Sequence, residues 1–128
     1  IALAALTRFA ALIEALDVRD VFPVATAAVR EASDGPAFVK RVADETGIKL
    51  RVLSGEDEAR LSALGVAGGS PDAAGVVGDL GGASLELVEI GPKGLGRGET
   101  FALGPLTFAE DDAFDYGLVS DHVSAMLE

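Results

Sequence analysis

A glycine turn between two strand-like segments dominates the sequence, in the stretch VVGDLGGASLELVEI. Gly81 and Gly82 form the bend, Asp79 precedes it, and Ser84 and Glu86 begin the return segment. Glycines at a bend permit positive φ and let a ligand approach the backbone closely, because they have no Cβ. Successive amides in such a bend bind anions, and the flanking carboxylates suit Mg²⁺, which usually arrives with phosphate. The same pattern is equally typical of an ordinary β-hairpin with two solvated acids.

Composition and charge exclude several kinds of partner and site. The chain has 128 residues, enough for one compact domain or for parts of two. A net charge of −11 disfavours nucleic acid and anionic membrane surfaces as partners. The absence of cysteine excludes disulfides and thiolate metal sites. The apolar segment IALAALTRFAALIEAL is too short to span a membrane and lacks a signal-peptide pattern, so we expect a soluble cytoplasmic protein.

Residues 1–70 alternate helix-like and strand-like patterns. The predicted elements are, in order, a helix at residues 1–17, a strand at 21–26, one helical turn at 27–31, a helix at 36–46, a strand at 48–53 and a helix from 55. The apolar face of the first helix consists of Leu3, Leu6, Phe9, Ile13 and Leu16. This order of elements is typical of the α/β class, with a parallel sheet and right-handed crossovers.

Capping residues mark the ends of two of these helices. Gly47 is the expected C-cap of the helix at 36–46, since glycine adopts the left-handed conformation without steric cost. Ser54 and Asp57 have the spacing of a capping box, and the acids after Ser54 lie in a first turn, where the helix dipole stabilises negative charge. The inward face of this last helix is predicted to consist of Ala59, Ala63, Leu64 and Val66.

Beyond the linker GGSPD at 68–72, the apolar period changes to two. The glycine hairpin is followed by the turn signal GPKG and by a third strand near 96–103. The remaining residues, 106–128, have a weak helical pattern. This β-β-β-α run indicates the start of a second domain, so the predicted domains are 1–70 and 71–128.

Three blocks, in order, resemble the exopolyphosphatase and guanosine pentaphosphate phosphohydrolase (Ppx/GppA) family of the actin-like (sugar kinase, heat-shock protein, actin) ATPase superfamily. VATAAVREASDGPAFVKRVADETG resembles a strand with Ala-Thr-Ala and Arg-Glu-Ala. LSGEDEARLSALGV resembles the block Ser-Gly-x-x-Glu-Ala-Arg-Leu. GDLGGASLELV resembles the phosphate loop Asp-Ile-Gly-Gly-Gly-Ser-x-Glu-Leu, and FALGPLTF resembles the passage after the third strand.

The resemblance covers nearly the whole chain and implies both a fold and an activity. The implied fold is a partial ribonuclease H-like, actin-type α/β fold, with the parallel βαβα part of domain I before the hairpin that begins domain II. The implied activity is Mg²⁺-dependent release of terminal phosphate from polyphosphate or from guanosine pentaphosphate, a nucleotide of the stringent response. In either reaction, a water molecule would attack the terminal phosphorus of the substrate.

The resemblance also implies roles for individual residues. Glu58 matches the catalytic glutamate, which orients and deprotonates the attacking water. Asp79 and Glu86 match residues that hold Mg²⁺. The alternative role implied for Glu86 is to hold the attacking water. The phosphate-binding positions are Arg30, Gly81, Gly82, Ala83 and Ser84.

Several of these residues also have an ordinary structural explanation. Glu58 is one of three acids that stabilise a helix N-terminus. Glu86 is equally typical of a solvent-facing strand acid. Arg30 would otherwise form a surface ion pair with Glu31 or Asp34.

The sequence departs from the family pattern at several points. The family's first phosphate loop, Asp-x-Gly-Ser-Asn-Ser, is missing, and the chain lacks a start methionine. We therefore expect a fragment that is inactive by itself. Ala83 stands where the family has a third glycine, and its methyl group would crowd a phosphate if φ were positive there. Gly78 replaces a hydrophobic residue, and His122, the single histidine, receives no role.

Two other functions stay open at this point. The same fold serves nucleotide-binding kinases and ATPases, which would transfer phosphate to an acceptor. A fragment without the first phosphate loop is alternatively a non-catalytic module that binds nucleotide or polyphosphate. The sequence does not choose between polyphosphate and guanosine pentaphosphate, and exposed strand edges leave a homodimer open.

Overall fold

The computed structural model describes residues 1–108 and 115–127. The chain divides into two compact units, Ile1–Leu53 and Ser54–Glu128. The first contains a two-stranded parallel sheet and the second a three-stranded antiparallel sheet, which confirms the mixed α/β class.

The first unit has the predicted order of elements, with shorter strands. Its elements are α1 (Ala2–Ala15), β1 (Val24–Ala25), α2 (Ala27–Arg30), α3 (Gly35–Thr46) and β2 (Arg51–Val52). The two strands pair in parallel through Val24 with Arg51 and Ala25 with Val52. Backbone hydrogen bonds from Arg51 N to the Pro23 carbonyl (3.0 Å) and from Leu53 N to the Ala25 carbonyl (2.9 Å) extend this pairing at both ends.

The apolar face predicted for α1 is only partly buried. Helix α1 packs on α3, and its residues Leu3, Leu6 and Ile13 are half-buried. By contrast, Phe9 and Leu16 are 58% and 70% exposed. Periodicity identified the helix correctly, but it does not show how much of an apolar stripe a neighbouring element covers.

The predicted C-cap of α3 is confirmed. The helix ends at Thr46, and Gly47 adopts the left-handed conformation with a φ of 73°. The amide of Gly47 donates to the Ala43 carbonyl at 3.0 Å and so uses one of the last carbonyls of the helix. Helix α3 begins at Gly35, one residue earlier than predicted.

The second unit consists of a helix, an antiparallel sheet and a C-terminal helix. Its elements are α4 (Gly55–Gly69), β3 (Gly75–Leu80), β4 (Leu85–Gly91), β5 (Gly94–Phe101), a 3₁₀ turn (Pro105–Thr107) and α5 (Tyr116–Leu127). The three predicted strands are present, and their order in the sheet is β3-β4-β5. Helix α4 continues through Gly69, so the linker begins at Ser70. Residues 109–114 and 128, part of the segment predicted to be helical, lie outside the described residues.

Helix α4 packs on one face of the sheet through small side chains. The buried core of this contact consists of Ala59, Ala63, Val88 and Ile90. A Cβ added to Gly98 on β5 would lie 2.8 Å from the Cβ of Ala59, so the helix and the strand are in very close contact. The prediction that Leu64 and Val66 also face inward is wrong. They are 45% and 42% exposed, because Leu64 lies about 140° around the helix axis from Ala59 and Val66 lies one turn beyond Ala63, towards the end of α4.

The compact units and the predicted domains divide the chain at different places. The units separate between Leu53 and Ser54, and α4 contacts all three strands of the antiparallel sheet. The domain assignment 1–70 and 71–128 places the boundary after α4, and it stays a prediction. Among the described residues, no helix is long and apolar enough to cross a membrane.

The contact between α4 and β5 gives a prediction for stability. We expect Gly98→Ala to lower the free energy of unfolding by about 1–3 kcal/mol, because the new methyl group overpacks against Ala59. Gly78→Ala on β3 is the matched control, since its Cβ would make only an ordinary contact, 3.5 Å from a Leu87 methyl carbon. Urea unfolding of both variants measures the difference. Equal stability of the two variants would contradict the proposed packing.

Candidate functional site

The candidate site begins at the loop between β3 and β4, residues 81–84. The amide of Gly81 donates to the Ser84 carbonyl at 2.8 Å and closes the loop. Positive φ occurs in the described chain only at Asp17, Gly47, Gly75 and Gly94, outside this loop. The turn is therefore built without a left-handed residue, and the methyl group of Ala83 adds no backbone strain.

The segment after β5 packs against the back of this loop. A Cβ added to Gly104 would lie 2.3 Å from the carbonyl carbon of Ala83 and 2.4 Å from its nitrogen. The amide of Leu106 donates to the Gly82 carbonyl at 2.8 Å. A Cβ on Gly82 would lie 2.9 Å from Cδ1 of Leu106. The shape of the loop therefore depends on a glycine more than twenty residues later in the chain.

The two acids that flank the loop are paired across strands. Asp79 on β3 is directly opposite Glu86 on β4, so both side chains lie on the same face of the sheet. Asp79 is exposed, whereas Glu86 is only 2% exposed. The alternative of a solvent-facing strand acid is therefore wrong for Glu86. Ser84 is also buried, at 5% exposure, as its alternation with Glu86 predicts.

A serine that the sequence analysis did not consider contacts Asp79. The hydroxyl of Ser62 on α4 donates a hydrogen bond to Oδ2 of Asp79 on β3. Ser62 lies four residues after Glu58, a spacing that places both on one side of a helix. That spacing was the only signal in the sequence, and it could not identify Asp79 as the acceptor.

The N-terminus of α4 is capped as predicted. The Ser54 hydroxyl oxygen accepts a hydrogen bond from the Asp57 amide at 3.1 Å. Glu58 lies in this first turn and is half-buried. A Cβ added to Gly55 would lie 2.4 Å from Oγ1 of Thr100, and Thr100 pairs with Glu86 on the neighbouring strand. The first turn of α4 is therefore above the sheet at the level of Glu86.

Arg30 lies in the first unit, after β1 and at the end of α2. Its Nη1 donates to the Leu53 carbonyl at 3.0 Å, and its Nε donates to Oε1 of Glu31 at 2.8 Å. The ion pair with Glu31, considered as its structural explanation, is present. Its role in phosphate binding stays a prediction.

His122 contacts an aromatic ring in the second unit. Its imidazole meets Phe108 edge to face, with ring centroids 5.3 Å apart and an interplanar angle of 82°. The residue is exposed. This contact is typical of packing between aromatic rings and indicates no chemical role.

The donor groups at the loop fit one class of metal ion. Within the described ranges, no group of three or more His, Cys, Asp or Glu side chains is placed to enclose a metal. The Asp79 and Glu86 carboxylates provide two acids on one sheet face. Mg²⁺ commonly binds through one or two carboxylates, several waters and the phosphates of a substrate. The residues present therefore fit Mg²⁺ and do not form an all-protein cage.

Comparison with known proteins gives consistent matches over most of the chain. The profile of the Ppx/GppA phosphatase family matches residues 2–126. Exopolyphosphatase 1 of Mycobacterium leprae is 44% identical over 70 residues, which are 53% of this chain and 21% of that protein. Exopolyphosphatase 1 of Mycobacterium tuberculosis is 41% identical over 70 residues, which are 53% of this chain and 20% of that protein.

Solved structures resemble the chain over nearly its full length. A crystal structure of an exopolyphosphatase from Cytophaga hutchinsonii has a TM-score of 0.80 and 26% identity, over 89% of this chain and 38% of that one. A Ppx/GppA family member from Aquifex aeolicus has a TM-score of 0.73 and 26% identity, over 97% of this chain and 41% of that one. The chain therefore spans less than half of these solved chains, and the curated matches cover about a fifth of their own length.

The packing behind the loop gives a second prediction. We expect Gly104→Ala to displace the Gly82–Ala83 peptide, because the added methyl group has no space there. In ¹H–¹⁵N spectra, the amides of the loop should shift far more than those of α3. Gly91→Ala is the matched control, since no heavy atom lies within 4 Å of its added Cβ. Unchanged loop amides in Gly104→Ala would show that this segment does not shape the loop.

Proposed function

Because the chain belongs to the Ppx/GppA phosphatase family, we propose that the protein containing it is a Mg²⁺-dependent phosphoanhydride hydrolase. The substrate class that we favour is inorganic polyphosphate, from which a terminal phosphoryl group is transferred to water. The observation that carries the proposal is the cross-strand pair Asp79 and Glu86 beside the loop at 81–84. The likeness to proteins named exopolyphosphatases, 44% and 41% identical over 70 residues, supports it.

Phosphate binding in this proposal depends mainly on backbone amides. The Gly81 amide already donates to Ser84, so it stabilises the loop. Among the described residues, the backbone N–H groups of Gly82 and Ala83 donate no turn or loop hydrogen bond to a backbone carbonyl. These amides, with Ser84, are the groups that we assign to phosphate oxygens. Arg30 is a further proposed phosphate-binding residue.

The two paired acids are the proposed metal ligands. Asp79 is accessible at the penultimate position of β3, and Glu86 is buried directly opposite it. A bound Mg²⁺ would neutralise negative charge on the phosphates, which is its general contribution to phosphoryl transfer. The two carboxylates would hold the Mg²⁺ ion next to the loop. A chain with a net charge of −11 needs such assistance to bind a polyanion.

Glu58 is the proposed general base. Its position in the first turn of α4 is fixed by the Ser54 cap, so the carboxylate is carried by a rigid element. Because that turn is above the sheet at the level of Glu86, Glu58 lies on the same side of the sheet as the two paired acids. A base in this position would orient the water and accept its proton as the oxygen–phosphorus bond forms.

Several further properties belong to the same proposal. Guanosine pentaphosphate is the second substrate that we propose, because the sequence blocks resemble a family that includes guanosine pentaphosphate phosphohydrolases. We propose a cytoplasmic protein that binds neither nucleic acid nor membrane, and we expect the 128-residue chain alone to be inactive. Sedimentation velocity would measure whether the protein forms a homodimer.

Substitution of Glu58 tests the assigned base. We expect Glu58→Gln to lower the rate of phosphate release by about 10²–10⁴-fold, the usual contribution of general acid–base catalysis, while polyphosphate binding persists. Glu56→Gln is the matched control, because this exposed acid lies in the same helical turn. It should retain a rate within about twofold of the parent. Unchanged release in Glu58→Gln would contradict the role of Glu58.

Substrate and metal dependence test the reaction class. The protein is assayed with long-chain polyphosphate and with guanosine pentaphosphate, each in Mg²⁺ and in EDTA. We expect release from polyphosphate in Mg²⁺ and a loss of that release in EDTA, because the substrate charge must be neutralised. Transfer of phosphate to an added acceptor would indicate a kinase instead. Binding of polyphosphate without any release would indicate a non-catalytic binding module.

A further inference from the structure

Ser62 is a polar residue on the side of α4 that packs on the sheet. Its neighbours on this side, Ala59 and Ala63, are 1% and 0% exposed and belong to the buried core of the contact. Ser62 itself is half-buried. Its hydroxyl group lies at the solvent-exposed edge of this helix–sheet contact, within hydrogen-bonding reach of β3.

The partner of Ser62 is the carboxylate of Asp79. The hydroxyl donates to Oδ2, and the two residues are on different elements, α4 and β3. An ionised carboxylate has about four acceptor positions on its two oxygens, so one hydrogen bond leaves room for a cation. The bond limits the rotamers of an otherwise exposed side chain. It therefore fixes the direction in which the remaining acceptor positions point.

We propose that Ser62 is a positioning residue that orients the Asp79 carboxylate to receive a divalent cation together with Glu86. This inference rests on the proposed function, since it concerns the metal site described there. Outer partners of metal-binding carboxylates are hydrogen-bond donors of this kind, and their loss typically costs about 10–100-fold in metal affinity.

The same helix links the proposed metal ligand to the proposed base. Glu58 and Ser62 are one helical turn apart, about 6 Å along the axis. The Ser62 hydrogen bond therefore ties the helix of Glu58 to the strand of Asp79. Because both helix and strand also contact β4, the position of Asp79 relative to Glu86 and to the first turn of α4 is fixed at the same time.

The test measures metal binding without substrate. The full-length protein is titrated with Mn²⁺ alone, with the free ion followed by electron paramagnetic resonance at about 0.15 M salt, which screens weak binding by other surface acids. The variants are Ser62→Ala, Ser62→Thr and Asp79→Asn. Ser124→Ala, at an exposed serine of α5, is the matched control. Circular dichroism establishes that every variant is folded.

We expect Ser62→Ala to weaken Mn²⁺ binding about 10-fold or more, within the range for lost outer partners. Ser62→Thr keeps a hydroxyl group and should bind within about threefold of the parent, and Ser124→Ala should bind equally well. In phosphate-release assays, Ser62→Ala should raise the Mg²⁺ concentration at half-maximal rate by a similar factor. The rate at saturating Mg²⁺ should change by less than about twofold. A general structural defect would instead lower that rate as well.

Two results would overturn the inference, and one of them would also overturn the metal site of the proposed function. Parental Mn²⁺ affinity in Ser62→Ala, together with lost binding in Asp79→Asn, would remove the role of Ser62 and leave the proposed function intact. Parental affinity in Asp79→Asn would remove Asp79 as a metal ligand. That result would overturn both this inference and the metal site of the proposed function.

Discussion

The close packing of α4 on the antiparallel sheet is the contact on which the rest of the second unit depends. Gly98 faces Ala59 and Gly55 faces Thr100, with no space for a larger side chain at either glycine. Because the side chains between helix and sheet are so small, α4 lies close enough for the short side chain of Ser62 to reach Asp79 on β3. Larger residues at these positions would lift the helix and separate Ser62 from Asp79.

The loop at 81–84 depends on a second close contact, made by a distant part of the chain. Gly104 allows the backbone after β5 to lie directly against the Gly82–Ala83 peptide, and Leu106 holds the Gly82 carbonyl. The loop therefore keeps its shape without a left-handed residue. Ala83, where the family pattern has a glycine, is compatible with this conformation because its φ is not positive.

The candidate site brings two acidic side chains together in a chain whose net charge is −11. Asp79 and Glu86 are directly opposite each other on neighbouring strands, so two carboxyl groups share one face of the sheet. A donated hydrogen bond from Ser62 lowers the charge density on one carboxylate. A divalent cation would complete the neutralisation and attract phosphate to the amides of the loop. Family membership, the loop and this pair of acids all support the proposed phosphoanhydride chemistry.

The sequence by itself determined the order of the elements, the glycine hairpin, the caps at Ser54 and Gly47, and the family. These features depend on local patterns, because helix caps, strand alternation and turns are set by residues near one another in the chain. Only the tertiary structure decided that Glu86 is buried and that Ser62 donates to Asp79. Both outcomes depend on the distance between α4 and the sheet. That distance is fixed by contacts between small residues far apart in the sequence, such as Ala59 and Gly98. A local sequence pattern does not show which distant residues will meet.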